Sequence, residues 1–287
     1  MNLGGKRLRP VLTLMANDMF GGEMQHATKA ALAMEMFHNF TLVHDDIMDN
    51  ADIRRGQPTV HVKWNQTIAI LSGDLMMIKA TDLLCETVTN NLRGLISVFN
   101  KTAAEVCEGQ QWDMNFENQT NVTEQDYLKM ITLKTAVLLG GSLKIGAMVA
   151  GASNEDAQHL YEFGKNIGIA FQLQDDILDS FGEGDKVGKK IGGDIAANKK
   201  TILLIEALNN ATGDDKDELY YWLGAKSEEK ITAVLNLYNK YKVRDKANQL
   251  KEQHLQLAFK HLSEVNLPEQ KTIMLKQTAI DLMERMS

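Results

Sequence analysis

Two five-residue stretches share one pattern of charge: Asp45-Asp46-Ile47-Met48-Asp49 and Asp175-Asp176-Ile177-Leu178-Asp179. On a helix, residues four apart share a face, so Asp45 projects with Asp49 and Asp175 with Asp179. Each pair is embedded in apolar sequence, LVHDDIMD and FQLQDDILD. Carboxylates crowded on a largely buried helix repel one another and lose hydration, so the arrangement needs cations. Hard divalent ions with oxygen ligands suit such a site, Mg²⁺ above all. Mg²⁺ keeps some of its water and shares the rest of its shell with substrate phosphates. Two facing acidic pairs would therefore hold a diphosphate through bridging Mg²⁺ ions. One such pattern alone reads as a solvated charge run; two inside apolar helices do not.

The basic residues are clustered in a chain whose net charge is −7. Gly4-Gly5-Lys6-Arg7-Leu8-Arg9-Pro10 lies near the start, and Asp52-Ile53-Arg54-Arg55-Gly56 follows the first acidic stretch. Lys134-Thr135 opens a small-residue helix, while Lys189, Lys190, Lys199 and Lys200 surround Gly192-Gly193-Asp194. Arginine forks and lysine point charges both suit phosphate oxygens, so these clusters point to a polyanion site. Neither glycine pair is a P-loop, because no GxxxxGK[ST] follows a strand. His38 lies seven residues before Asp45, two helical turns away on the same face.

Helices must position these groups. The chain has 287 residues, 44% hydrophobic and 24% charged, an ordinary globular balance that excludes disorder and low-complexity classes. Only 3 prolines occur, which favours long helices and argues against an all-β fold. Helical spacing covers 23–49, 68–89, 92–116, 124–133, 135–150, 154–181, 200–208, 216–223, 227–262 and 268–286. Ser153 is an N-cap with Asp156 at the third helical position, and Pro268 suits a first turn. Arg55-Gly56-Gln57-Pro58 reads as a turn, 182–193 as a loop, and no segment alternates convincingly as a strand. The charged segment 238–262 reads as the solvated face of one long helix. No repeat or linker divides the chain, so a single domain over 1–287 is expected, all-α in class. The acidic balance argues against nucleic acid as a partner. Cys85 and Cys107, far apart, suggest a reduced, cytoplasmic protein. MNLGGKRLRP has no apolar core and is not a signal peptide. Ala136–Ala152, interrupted by Lys144 and four glycines, reads as a core helix and no membrane span.

The set GGKRLRP, LVHDDIMDNADIRRGQPTVH, Lys134-Thr135, GIAFQLQDDILD and GKKIGGDIAANKKT strongly resembles the trans-isoprenyl diphosphate synthases, also called polyprenyl synthetases. Farnesyl and geranylgeranyl diphosphate synthases belong to this family. The matching motifs run from Gly4 to Thr201, about two-thirds of the chain, and their order and spacing are highly specific. The resemblance implies an isoprenoid-synthase-type helical bundle around a deep central cavity, usually a homodimer. It implies a head-to-tail prenyltransferase that joins isopentenyl diphosphate to an allylic diphosphate with three Mg²⁺ ions. Family members usually carry a further helix before GGKRLRP, which this sequence does not show.

Carried over by position, Asp45 and Asp49 resemble the first Mg²⁺ ligands and Asp175 and Asp179 the second, with Asp175 favoured in that pair. Arg54, Lys134, Thr135, Gln172 and Lys199 resemble contacts to the allylic diphosphate. Lys6, Arg9, His38 and Arg55 resemble the isopentenyl diphosphate site, and the lysine of the GKxxGxD-like loop is Lys189 or Lys190. The implied reaction is ionisation, condensation and elimination. In this family a bulky residue five positions before the first aspartate limits elongation, which here is Phe40. Thr41 and Phe37 lie one and two turns below Asp45 on the same stripe. Products of C15 to C20 are expected, C20 slightly favoured. A class I terpene cyclase would carry an Asn/Ser/Glu-type second metal motif, whereas a second DDxxD and a lysine loop stand here.

Overall fold

The computed structural model describes residues 4–182, 191–227 and 229–284. Helix α1 (Leu8–Met19) is followed by α2 (Met24–Met48), a two-residue strand pair β1 (Ile53–Arg54) and β2 (Gln57–Pro58), α3 (Val60–Lys63) and α4 (Gln66–Cys85). Next come α5 (Leu92–Glu117), α6 (Glu124–Ile131), a π-helical turn (Thr132–Ala136), α7 (Val137–Val149) and α8 (Asn154–Phe181). The remainder is α9 (Gly193–Ala196), α10 (Ile202–Asn210), α11 (Asp214–Gly224), α12 (Glu229–Lys240), α13 (Val243–Ser263) and α14 (Glu269–Glu284).

The expected helices are present, with informative differences. Helix α1 was not foreseen, because Pro10 stands in it. Pro10 occupies the first turn, where an N–H would have no intrahelical acceptor anyway. The single helix expected over 227–262 is two, because Lys242 adopts a left-handed φ of 51° between α12 and α13. Arg55-Gly56 is not a simple turn but the loop of a hairpin, with Ile53 opposite Pro58 and Arg54 opposite Gln57. Both loop residues have positive φ, 53° and 73°, the pattern of a type I′ turn. Ser153 caps α8 as expected, its Oγ accepting from Asp156 N at 3.0 Å. Thr123 and Asp126 make a reciprocal capping box at the start of α6.

The chain folds as two compact units. The first holds the chain up to Glu105 together with Val137–Gly164 and His261–Leu275. In it, α2 buries the stripe Ala27, Ala30, Ala31, Met34 and Phe37, which drives its packing on α1 and α4. Helix α7 meets α1 closely at Gly146, where a β-carbon would stand 2.0 Å from Thr13 O. The second unit holds Val106–Ala136, Lys165–Lys260 and the chain from Lys276. Its core gathers Phe116, Tyr127, Leu173, Leu203, Leu219 and Tyr238. Glu124–Val149, helical throughout, is long and apolar enough to cross a membrane by composition, but 72% of its most apolar window is buried in the protein.

Candidate active site

In the first unit the acidic stretch closes α2. Asp49 is the C-cap, and its N–H donates to Asp45 O at 2.8 Å, so the two side chains stand one turn apart. Asp45 is half-buried and Asp49 exposed. Asp46 turns inward, 4% exposed, and accepts from Arg54 Nε at 2.6 Å. Among the described residues the Arg54 side chain makes this one hydrogen bond, so its outer nitrogens remain for an anion. The hairpin brings Arg55 next door, where its guanidinium donates to Gly4 O and lies 2.9 Å from where a β-carbon of Gly5 would be.

These arginines surround His38. Burial first, then Arg9, Arg55, Arg54 and Arg7, depress the imidazole pKa to about 2, so His38 is neutral near pH 7. Arg9 is itself held down to about 10, by burial opposed by Glu35 and reinforced by Arg55. Its Nε is buried without a hydrogen-bond partner, an open donor of the kind an anion would satisfy. Arg7 is committed to Glu35 at 2.6 Å, and Asn39 Nδ2 donates to Glu35 Oε1 at 3.2 Å. Lys6 is exposed. Below Asp45 on α2, Thr41 Oγ1 donates to His38 O at 2.8 Å. Phe40 is half-buried, its ring 5.6 Å from Phe37, which is 1% exposed and packs edge-on against Phe99 at 5.5 Å.

In the second unit the last turns of α8 carry the other stretch. Asp175 is half-buried and has no hydrogen-bond partner among the described residues. Asp179 Oδ2 accepts from Asp194 N at 2.9 Å and its carbonyl from Gly192 N at 2.7 Å, tying the start of α9 to α8. Asp176 is 3% exposed and bonded at both oxygens: Tyr127 Oη donates to Oδ2 at 2.5 Å and Gln172 Nε2 to Oδ1 at 3.1 Å. Burial pushes Asp176 up to about 7, with the Tyr127 bond opposing and Asp194 adding. The Tyr127 phenol is raised well above its ordinary value, by burial and then by Asp176. Thr135 Oγ1 lies 3.5 Å from Gln172 Oε1.

Lys134 sits in the π-helical turn, the wider register that often marks functional positions, and its Nζ contacts Asp113 Oδ2 at 2.5 Å. Gly109 of α5 permits this, since a β-carbon there would stand 2.2 Å from Lys134 N. Lys199 lies 3.6 Å from Asp194. Burial works against its ammonium, but Asp194, Asp176, Asp113 and Asp175 together outweigh burial and raise its pKa. Asp194 is raised by its own burial, then by Asp179 and Asp175, against Lys199. Lys189 and Lys190 lie outside the described residues.

The donors fit Mg²⁺. They are carboxylates in pairs, and among the described residues no three His, Cys, Asp or Glu side chains form a metal cage. An ion that keeps water and takes phosphate oxygens needs no such cage.

A sequence model described as polyprenyl synthetase matches residues 1–241. The chain belongs to the polyprenyl synthetase family. Among curated relatives of this polyprenyl synthetase is a geranylgeranyl diphosphate synthase of Saccharolobus solfataricus, 42% identical over 268 residues, 91% of this chain and 80% of that one. Its fold is the all-α isoprenoid synthase fold. A crystal structure of geranylgeranyl pyrophosphate synthase superposes with a TM-score of 0.94 at 42% identity, over 100% of this chain and 89% of that one. The Corynebacterium glutamicum geranylgeranyl pyrophosphate synthase, solved with isoprenyl diphosphate and magnesium, gives 0.88 at 28% identity, over 98% and 87%.

Sequence reasoning did not single out Asp46, Asp176, Tyr127, Asp113 and Asp194 as site residues. Asp113 closes GQQWD on α5, and that run of side-chain amides ending in a carboxylate was the available signal.

Proposed function

We propose that this trans-prenyltransferase condenses isopentenyl diphosphate head to tail with allylic diphosphates, giving all-trans C15–C20 diphosphates with C20 preferred. The observation that carries the reading is Lys199, whose Nζ lies 3.6 Å from Asp194 and whose ammonium is favoured, against burial, by Asp194, Asp176, Asp113 and Asp175. Asp176, pushed up to about 7, counts only in part, but the remaining carboxylates still outnumber the lysine and leave negative charge that divalent ions would neutralise while bringing a diphosphate with them. Mg²⁺, three ions in the family, would supply charge neutralisation at the departing diphosphate when bound by Asp45, Asp49, Asp175 and Asp179.

The chain's own residues do the rest. Arg54, Lys134 and Lys199, with Thr135 and Gln172, hold the allylic diphosphate and stabilise charge as its C–O bond loosens. Arg9, Arg55, Lys6 and neutral His38 hold isopentenyl diphosphate, whose double bond attacks the allylic cation. The apolar wall on α2 below Asp45 keeps water from capturing that cation. The proton then lost goes to the released diphosphate, which is close and basic. Phe40 limits the tail.

A homodimer is supported by an apolar stripe on α4: Ile68, Leu71, Leu75 and Ile78 are 41%, 62%, 55% and 58% exposed at helical spacing. Free, exposed Cys85 and Cys107 suit the cytoplasm.

The test is product chromatography with isopentenyl diphosphate and dimethylallyl, geranyl or farnesyl diphosphate, with and without Mg²⁺. Mg²⁺-dependent C15–C20 diphosphates are expected. Hydrocarbon from farnesyl diphosphate alone would show a cyclase instead. Asp45→Ala and Asp175→Ala each lower turnover by orders of magnitude; near-normal turnover in either removes the metal bridge.

A further inference from the structure

Each acidic motif contains an aspartate for which the metal reading has no use. Asp46 and Asp176 stand about 100° round the helix from Asp45 and Asp175 but only about 60° from Asp49 and Asp179, so it is their burial and bonding that set them apart. Both are buried, at 4% and 3%, and both are bonded inward. What they bond is informative. Asp46 holds Nε of Arg54. Asp176 holds the amide of Gln172, whose other atom lies near the Thr135 hydroxyl, and Tyr127 completes the carboxylate. In both motifs the buried carboxylate thus grips a residue assigned to the allylic diphosphate.

We infer that Asp46 and Asp176 are positioning residues that take no part in holding metal and instead orient Arg54 and the Gln172–Thr135 pair toward the allylic diphosphate. The inference rests on the diphosphate site set out under the proposed function. A carboxylate on Nε fixes the plane of the guanidinium and leaves its outer edge for bidentate contact with phosphate. For Gln172, donation of Nε2 to Asp176 decides which amide atom faces Asp176 and which faces Thr135. Tyr127 acts one step further back. By bonding Oδ2 it orients the carboxylate so that Oδ1 meets Gln172.

The experiment is calorimetric titration of the full chain with inorganic diphosphate at a series of Mg²⁺ concentrations. It compares wild type with Asp46→Asn, Tyr127→Phe and Asp45→Asn, and melting curves confirm folding. Two numbers are read: the Mg²⁺ concentration for half-maximal binding, and the diphosphate affinity at saturating Mg²⁺. Asp46→Asn and Tyr127→Phe should leave the Mg²⁺ midpoint within about twofold and weaken diphosphate about tenfold, the scale of one charge-assisted hydrogen bond. Asp45→Asn should move the Mg²⁺ midpoint itself. The double variant Asp46→Asn/Arg54→Gln should lose no more affinity than Arg54→Gln alone, because the aspartate acts through the arginine. A Mg²⁺ midpoint in Asp46→Asn displaced as far as in Asp45→Asn would make Asp46 a ligand and overturn the inference. Unchanged diphosphate affinity in both Asp46→Asn and Tyr127→Phe would overturn it too. Wild type that binds Mg²⁺-diphosphate but forms no prenyl chain would sink the proposed reaction and leave this inference standing. Wild type that binds no diphosphate would sink both.

Discussion

Gly109→Ala puts one methyl group between α5 and the π-helical turn. That methyl would stand 2.2 Å from Lys134 N and 2.6 Å from both Leu133 C and Lys134 Cα. These are backbone atoms, so no rotamer change relieves the contact. Carbon contacts become comfortable at roughly 3.5 Å, so the two segments must part by about 1 Å. Overpacking of this kind costs about 1–3 kcal/mol. In a chain of this size that lowers the melting temperature by roughly 2–10 °C. The same displacement carries Lys134 off Asp113, which it now meets at 2.5 Å, and moves Thr135 away from Gln172. A misplacement of about 1 Å in a positioning group can cost about 100-fold in rate. Circular-dichroism melts and steady-state kinetics with labelled isopentenyl diphosphate measure both effects, the loss falling on the allylic diphosphate. Gly224→Ala is the control, because nothing lies within 4 Å of the added carbon. Wild-type melting and kinetics in Gly109→Ala would refute the claim that this close approach sets the lysine.

Other outcomes follow from the same geometry. His38 is depressed from 6.5 to about 2, so its contribution to stability is complete above pH 6.5 and falls as pH drops toward 2. The slope approaches about 1.4 kcal/mol per pH unit only well below pH 6.5, so denaturant titrations at pH 7 and 5.5 should differ by about 1.3 kcal/mol, and that difference should vanish in His38→Gln. Phe40→Ala should lengthen the products seen by chromatography; unchanged lengths would remove it as the stop. Phe37→Ala, at a position 1% exposed against Phe99, should instead cost about 3–5 kcal/mol in unfolding free energy. Thr123→Ala breaks the α6 capping box and should cost about 1 kcal/mol, read from denaturant midpoints.

What could be read in advance was local. Helix α8 begins and ends where its cap and spacing place it, because Ser153 announces its start and the apolar period runs unbroken to Phe181. The pairing of Asp45 with Asp49 followed from helix geometry alone. The duty of Asp46 and Asp176 did not, because their partners Arg54 and Tyr127 are 8 and 49 residues away and only tertiary packing brings them in. The break at Lys242 carried no glycine or proline to announce it, and a left-handed lysine leaves no trace in composition. Helix α1 was obscured by Pro10 and by the basic residues before it, which read as a binding strand of charge rather than a helix start. Asp113 was passed over because its partner Lys134 reaches it through a register change that ordinary helical periodicity does not contain.

The hairpin loop sets two kinds of selection against each other. Position 55 has a backbone shape in which asparagine, aspartate or glycine would sit comfortably, and an arginine there carries a penalty of roughly 1–2 kcal/mol. Replacing Arg55 by asparagine should thus give a firmer hairpin and a duller catalyst. A screen for heat resistance would reward that exchange, and a screen for turnover would discard it.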